Sequence, residues 1–348
     1  MAFMARGTIV NRRDFVAGTA ALAATPALAA DRLGGIRIPA SAADSELRGL
    51  SPTGGQSYWA SGSKGWLVRG NDERQAPIRI IGAEALDFRG LHAFDDDHVL
   101  AMSAGPGEAS QLWRTKDGGK SWKRIAANQD PAGFWDSIAF VDGKRGYILG
   151  DPTQGRFTVL YTDDGSETWT RLPDKGVPLA AAGEGAFAAS NGCVALGRRA
   201  QVAFCTGGGG RARVYLSRGG GGVFVPINTP IAGDAPSRGA FAVAFGKHGE
   251  LWVCGGDYKN PKAEGVTLAR LDPGRVTFEP VAAPPGYLSS VSVSGSTVMA
   301  TGLAGTIVSR DGGAFQRVSA APFNTVRLTS PRKAVLAGPR GSIGLWSV

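Results

Sequence analysis

The chain of 348 residues is 43% hydrophobic, with 52 glycines, 20 prolines and 8 tryptophans, which gives it enough apolar surface for a core and excludes disorder as the default. No Gly-X-Y period accompanies the glycines, so collagen is excluded too; many short strands joined by tight turns need this mixture, because glycine supplies the positive φ angles of turns. The formal net charge of +9 favours acidic partners, anionic lipid or polyanions, but no Lys/Arg run exceeds two residues and no basic helix is visible, so nucleic acid is not the expected partner.

In chain order, the first element is a targeting segment over residues 1–29. Asn11-Arg12-Arg13-Asp14-Phe15-Val16 resembles the twin-arginine export motif, and a weakly apolar Ala-rich stretch follows to Leu28. That stretch is too short to span a membrane comfortably. Ala27-Leu28-Ala29 offers a small-x-small cleavage site, so the mature chain is expected to be one domain over 30–348, exported to the periplasm, monomeric and not an integral membrane protein. Removing 1–29 leaves 35 basic and 28 acidic side chains, a net of +7.

Two neighbouring segments then line up almost strand for strand. The first has runs at 88–94, 99–103, 111–115 and 121–125; the second at 134–140, 146–150, 158–162 and 168–172. Each reads as four short strands with a period near that of a propeller blade, roughly 40–50 residues. Weaker units follow the same pattern near 47–81, 185–227, 240–281, 287–318 and 323–348. The expected fold is therefore all-β, a β-propeller of seven four-stranded blades, with six or eight also compatible with the irregular ends. The last unit has room for about three strands before Val348, and Ile36-Arg37-Ile38 is expected to supply the fourth and close the ring, which removes exposed strand edges.

One turn recurs. Thr115-Lys116-Asp117-Gly118-Gly119-Lys120-Ser121-Trp122 fits Ser/Thr-x-Asp-x-Gly-x-x-Trp throughout. Thr162 to Trp169 fits with Asp164 as the acid but Ser166 in the glycine position, Ser217 to Phe224 keeps only part of the pattern, and Ser309-Arg310-Asp311-Gly312-Gly313-Ala314-Phe315 is one residue short. The carboxylate can accept turn N–H bonds, glycine permits the left-handed bend, and the tryptophan packs between sheets. These are structural residues. The turns resemble Asp-box (BNR) repeats, and with Trp59-Ala60-Ser61-Gly62-Ser63-Lys64-Gly65 and Ala85-Leu86-Asp87-Phe88-Arg89-Gly90 the chain over 44–348 resembles the Asp-box propellers related to photosystem II stability/assembly factors, in the WD40/YVTN/BNR-like repeat class. The resemblance implies a propeller fold and a protein-binding or assembly role, with no cofactor.

If the Asp-boxes occupy the turns between third and fourth strands, the opposite face gathers the loops entering each blade, where function usually sits. Its polar candidates are Asp87, Arg89, Asp136, Asp151, Arg156, Glu184, Arg211, Arg213, Asp257, Tyr258, Lys259, Tyr287 and Arg340. Cys193 and Cys205 fall opposite each other across a hairpin turning at Arg199, which an oxidising compartment would allow to bridge; Cys254 reads as a buried thiol. The three histidines lack ligand spacing, Asp95-Asp96-Asp97 reads as a solvated turn, and neither glycine run carries a Lys-Ser/Thr ending, so no metal or phosphate site is expected. No catalytic residue is assigned. The enzyme alternative is a sialidase-like glycosidase, with Arg89, Arg156 and Arg211 clamping a carboxylate beside Tyr258 or Tyr287 as nucleophile. Glycan binding without catalysis is a third reading.

Overall fold

Short β-forming runs, each bounded by turn residues, fold here as seven antiparallel sheets of sequentially paired strands. The computed structural model describes residues 32–33, 36–39, 43–54 and 56–348; the export motif and its cleavage site lie outside them. The innermost strands are Leu47–Gly54, Phe88–Ala93, Trp135–Phe140, Val194–Leu196, Arg238–Phe245, Ser290–Ser294 and Thr325–Ser330 for blades 1 to 7. Each packs against the next and the seventh against the first, so the sheets form a closed seven-bladed propeller. Among the described residues no helix is long and apolar enough to cross a membrane.

The ring closes as the strand count requires. In blade 7, Thr325–Ser330, Lys333–Ala337 and Ile343–Ser347 are joined by Ile36–Arg37 from the other end of the chain, with Ile36 opposite Trp346 and Arg37 opposite Leu345. Ile36 is wholly buried among Phe323, Leu336 and Trp346, so closure also fills a core. Arg37 bonds to the Asp72 carbonyl of blade 1.

Between blades the core is divided into wedges. Trp122 meets Trp59 of blade 1 edge-on, with ring centroids 6.2 Å apart; Trp169 packs near Leu100, Met102 and Leu112 of blade 2. The hydrogen bonds of their turns explain the sequence pattern. The Gly119 N–H donates to the Thr115 hydroxyl (3.0 Å), and that hydroxyl donates to the Asp117 carboxylate (2.8 Å), which also accepts the Ser121 N–H (2.9 Å). Thr162, Asp164, Ser166 and Thr168 repeat this set at 2.8–3.1 Å. Gly119 sits at φ +87° and Ser166 at φ +72°; blade 3 thus tolerates a left-handed serine where glycine costs nothing. The short blade 6 turn departs from expectation. Missing one residue, it points the Asp311 carboxylate at the Ser296 hydroxyl of the neighbouring turn, and Ser309 donates to the Gly313 carbonyl at 2.5 Å instead.

The cysteine hairpin has the expected register, Val194 opposite Phe204, and the Cys205 N–H donates to the Cys193 carbonyl at 2.9 Å. That makes the two a hydrogen-bonded cross-strand pair, the kind whose side chains stand farther apart. All three cysteines are buried free thiols. Burial pushes each thiol pKa up, as expected of unreactive core thiols.

Candidate functional site

The innermost strand of blade 4 is only Val194–Leu196, so the residues before it are released from the sheet and turn into the axis of the ring. There the segment Phe187-Ala188-Ala189-Ser190-Asn191-Gly192, irregular and buried throughout, is held by all six other blades. Arg48 of blade 1 donates to the Ala189 carbonyl (3.2 Å) and Arg89 of blade 2 to the Ala188 carbonyl (3.5 Å). The Asn191 amide donates to the Leu91 carbonyl of blade 2 (2.9 Å) and accepts the Ile138 N–H of blade 3 (2.8 Å). The Val243 N–H of blade 5 reaches the Gly192 carbonyl at 2.9 Å. The Ser190 hydroxyl donates to Ser289 of blade 6 (2.6 Å), and Thr325 and Arg327 of blade 7 donate to the Ser190 and Asn191 carbonyls (3.1 and 3.2 Å). Asn191 adopts φ +54°, a left-handed conformation that asparagine tolerates well. A Cβ on Gly192 would stand 2.8 Å from that of Ala242, so the segment passes too close to blade 5 for a side chain.

This plug seals the loop-face end of the axis, and the rim around it is aromatic and basic. Phe187 stacks on Phe241 with centroids 4.0 Å apart; Tyr287 and Tyr258 meet Phe241 edge-on at 4.8 and 6.1 Å. Arg89 pairs with Asp87 at 2.7 Å. Burial first, then the positive charge of Arg89, lowers the pKa of Arg48, while Asp87 acts the other way. Plug carbonyls supply the acceptors that make two neighbouring guanidinium groups tolerable here. Sequence reasoning missed Arg48: on a strand it has the spelling of an ordinary solvated arginine, and its partner is 141 residues away.

The other predicted loop-face residues divide between scaffold and surface. Asp136 is buried near Cys193, whose pKa it helps to raise. Asp151 accepts the Ala186 N–H at 3.0 Å, just before the plug. Arg156 donates to the Val177 carbonyl. Asp257 pairs with Arg238 at 3.2 Å, and Arg238 also with Asp234 at 3.2 Å. Arg211, Lys259 and Arg340 are exposed. The three arginines cast as a carboxylate clamp therefore face different ways: Arg89 the plug, Arg156 the Val177 carbonyl in the connection to blade 4, Arg211 solvent.

A Tyr–Glu pair does form, at residues the sequence reading had not joined. The Tyr215 hydroxyl donates to Glu184 at 3.0 Å, the Arg213 Nε at 2.9 Å, and Thr206 and the Ala181 N–H complete the set. Burial disfavours the Glu184 charge, but these bonds outweigh it and lower its pKa. Tyr215 is fully buried, and burial and the Glu184 charge raise its pKa. A nucleophilic tyrosine needs access and an easily lost proton; this pair has neither, and it ties the Ala181–Glu184 turn to blade 4. Among the described residues no three His, Cys, Asp or Glu side chains gather as metal ligands would.

No family model matches this sequence, and no curated protein matches it. Solved structures do match in fold. One described as "YCF48 bound to D1 peptide" superposes with a TM-score of 0.66 at 15% identity, covering 93% of this chain and 100% of that one. YCF48 from Cyanidioschyzon merolae gives 0.62 at 14% identity, over 90% of this chain and 99% of that one, and a structure of U3-55K 0.61 at 11%, over 90% and 98%. At these identities the likeness establishes the seven-bladed propeller and nothing finer.

Proposed function

We propose that this chain is an exported Asp-box propeller that binds a protein partner through its loop-rich face and serves in assembling a membrane-associated complex. The observation that carries this reading is the plug. It closes the loop-face end of the axis, and Asp87, Arg89, Glu184 and Arg213 are committed to holding it or its approaches. A closed floor with exposed Arg211, Lys259, Lys262 and Arg340 around it suits a macromolecular surface better than a small substrate, and the net positive charge favours an acidic one. The twin-arginine-like leader supports export. A structural neighbour described as bound to a peptide supports protein recognition on this fold.

The test is crosslinking capture of the tagged protein from the periplasm, comparing Arg211→Glu/Lys259→Glu/Lys262→Glu with a reversal on the opposite face, Lys116→Glu/Lys120→Glu/Lys144→Glu. A defined partner recovered by the native protein and the second variant, but not by the first, is the expected result. Loss with both variants, or no partner together with release of sialic acid from a glycan by the purified protein, would overturn it.

A further inference from the structure

Beneath the plug the axis stays open. A cavity of about 280 Å³ runs from the Asn191–Gly192 floor to the turns joining first and second strands, with Pro52, Phe140, Phe245 and Val293 towards that mouth. It is at the small end of ligand cavities, which span about 300–1,000 Å³. Two ionisable side chains line it. One is His92, packed against Phe94 and Phe140; burial lowers its pKa to about 4, so it is neutral at pH 7. The other is Arg327. Among the described residues no carboxylate lines the cavity.

Arg327 keeps partial exposure, and it lines the cavity. Its hydrogen bonds run only to neutral acceptors: the Val326 carbonyl at 2.8 Å, the Asn191 carbonyl at 3.2 Å, and the Ser290 and Thr325 hydroxyls at 3.3 Å each. Among the described residues it has no ion pair. Loss of water lowers its pKa to about 10, which still leaves it charged. A cation largely withdrawn from water without a counter-charge is costly. Two further donors stand on the walls. Ser51 accepts the Ala93 N–H at 2.9 Å and Ser292 the Leu328 N–H at 2.9 Å, which leaves each hydroxyl proton for another acceptor. Most of the remaining side chains that line it are aliphatic, among them Leu91, Ala139, Ala195 and Val243.

We propose that the axial cavity binds a carboxylate borne on a short apolar group, with the guanidinium of Arg327 as its counter-ion and the aliphatic wall around its tail. A carboxylate matches the planar fork of an arginine in a way that a spherical anion does not. The carrier is either a small free acid or the C-terminus of a peptide. The mouth lies on the face opposite the proposed protein-binding surface, so the two can fail separately.

The experiment follows the thermal midpoint of the full chain at pH 7 and constant ionic strength. Butyrate is expected to raise the midpoint saturably; butyramide, which has the same shape without the charge, and chloride are expected not to. Arg327→Met, which keeps an unbranched side chain, is expected to fold and lose the butyrate response. Ala-Ala-Val with a free or an amidated C-terminus distinguishes the carriers: a larger, saturable shift from the free acid than from butyrate assigns a chain terminus, and a shift from butyrate alone assigns a small acid. Equal effects of butyrate, butyramide and chloride would overturn the proposal whether or not the variant folds, as would a folded Arg327→Met protein that still responds.

Discussion

Asp117 and Asp164 show how far a local pattern can be read. Each accepts a backbone N–H and two hydroxyl protons within its own turn, and those bonds lower its pKa from the ordinary 3.8 to about 2. A carboxylate whose folded pKa lies below its unfolded value adds stability that is complete above the unfolded value and lost as pH falls through the folded one. Between about pH 4 and pH 2, acid unfolding of the native protein should therefore be steeper than that of Asp117→Asn/Asp164→Asn, as followed by tryptophan fluorescence; identical slopes would mean that the turns do not depend on their charge. These residues were legible because every partner lies within the turn. Asp311 was not, because a one-residue deletion redirects it to Ser296, on a different hairpin. Arg48 and Arg327 were illegible for the same reason on a larger scale.

Among the elements, the closing strand and the plug make the opposite pair. Ile36-Arg37 could be assigned from arithmetic: six units of four strands and one of three leave one strand wanting, and an apolar run stands unclaimed at the other end of the chain. The plug offers no such deficit. Residues 187–192 carry no period, glycine run or charge pattern, and their partners on the other blades lie 51–141 positions away. What the sequence does hold is a short first strand in blade 4 whose preceding residues are small or apolar. Asn191 is the sharpest probe of the plug, since its side-chain oxygen satisfies the buried Ile138 N–H. Asn191→Ala leaves that donor unpaired and should cost about 1–3 kcal/mol, read as a lower urea midpoint with an unchanged slope. A loss well under this range would show that the segment is not a built part of the ring.

For the molecule as a whole, the propeller separates its two faces by chemistry. One carries the turns at 115–122 and 162–169 and the mouth of the axial cavity. The other carries the plug, its aromatic and arginine rim, and exposed basic loops. The composition pointed to the fold because many short strands leave a strong compositional trace; it could not point to a partner, because function on this scaffold depends on which loops stay exposed after the buried pairs have formed. The most direct measurement is hydrogen exchange of the full chain with and without its captured partner. The account predicts new protection at residues 207–211, 257–265 and 338–342, with 115–122 and 162–169 unchanged. Protection confined to the latter two turns would contradict it.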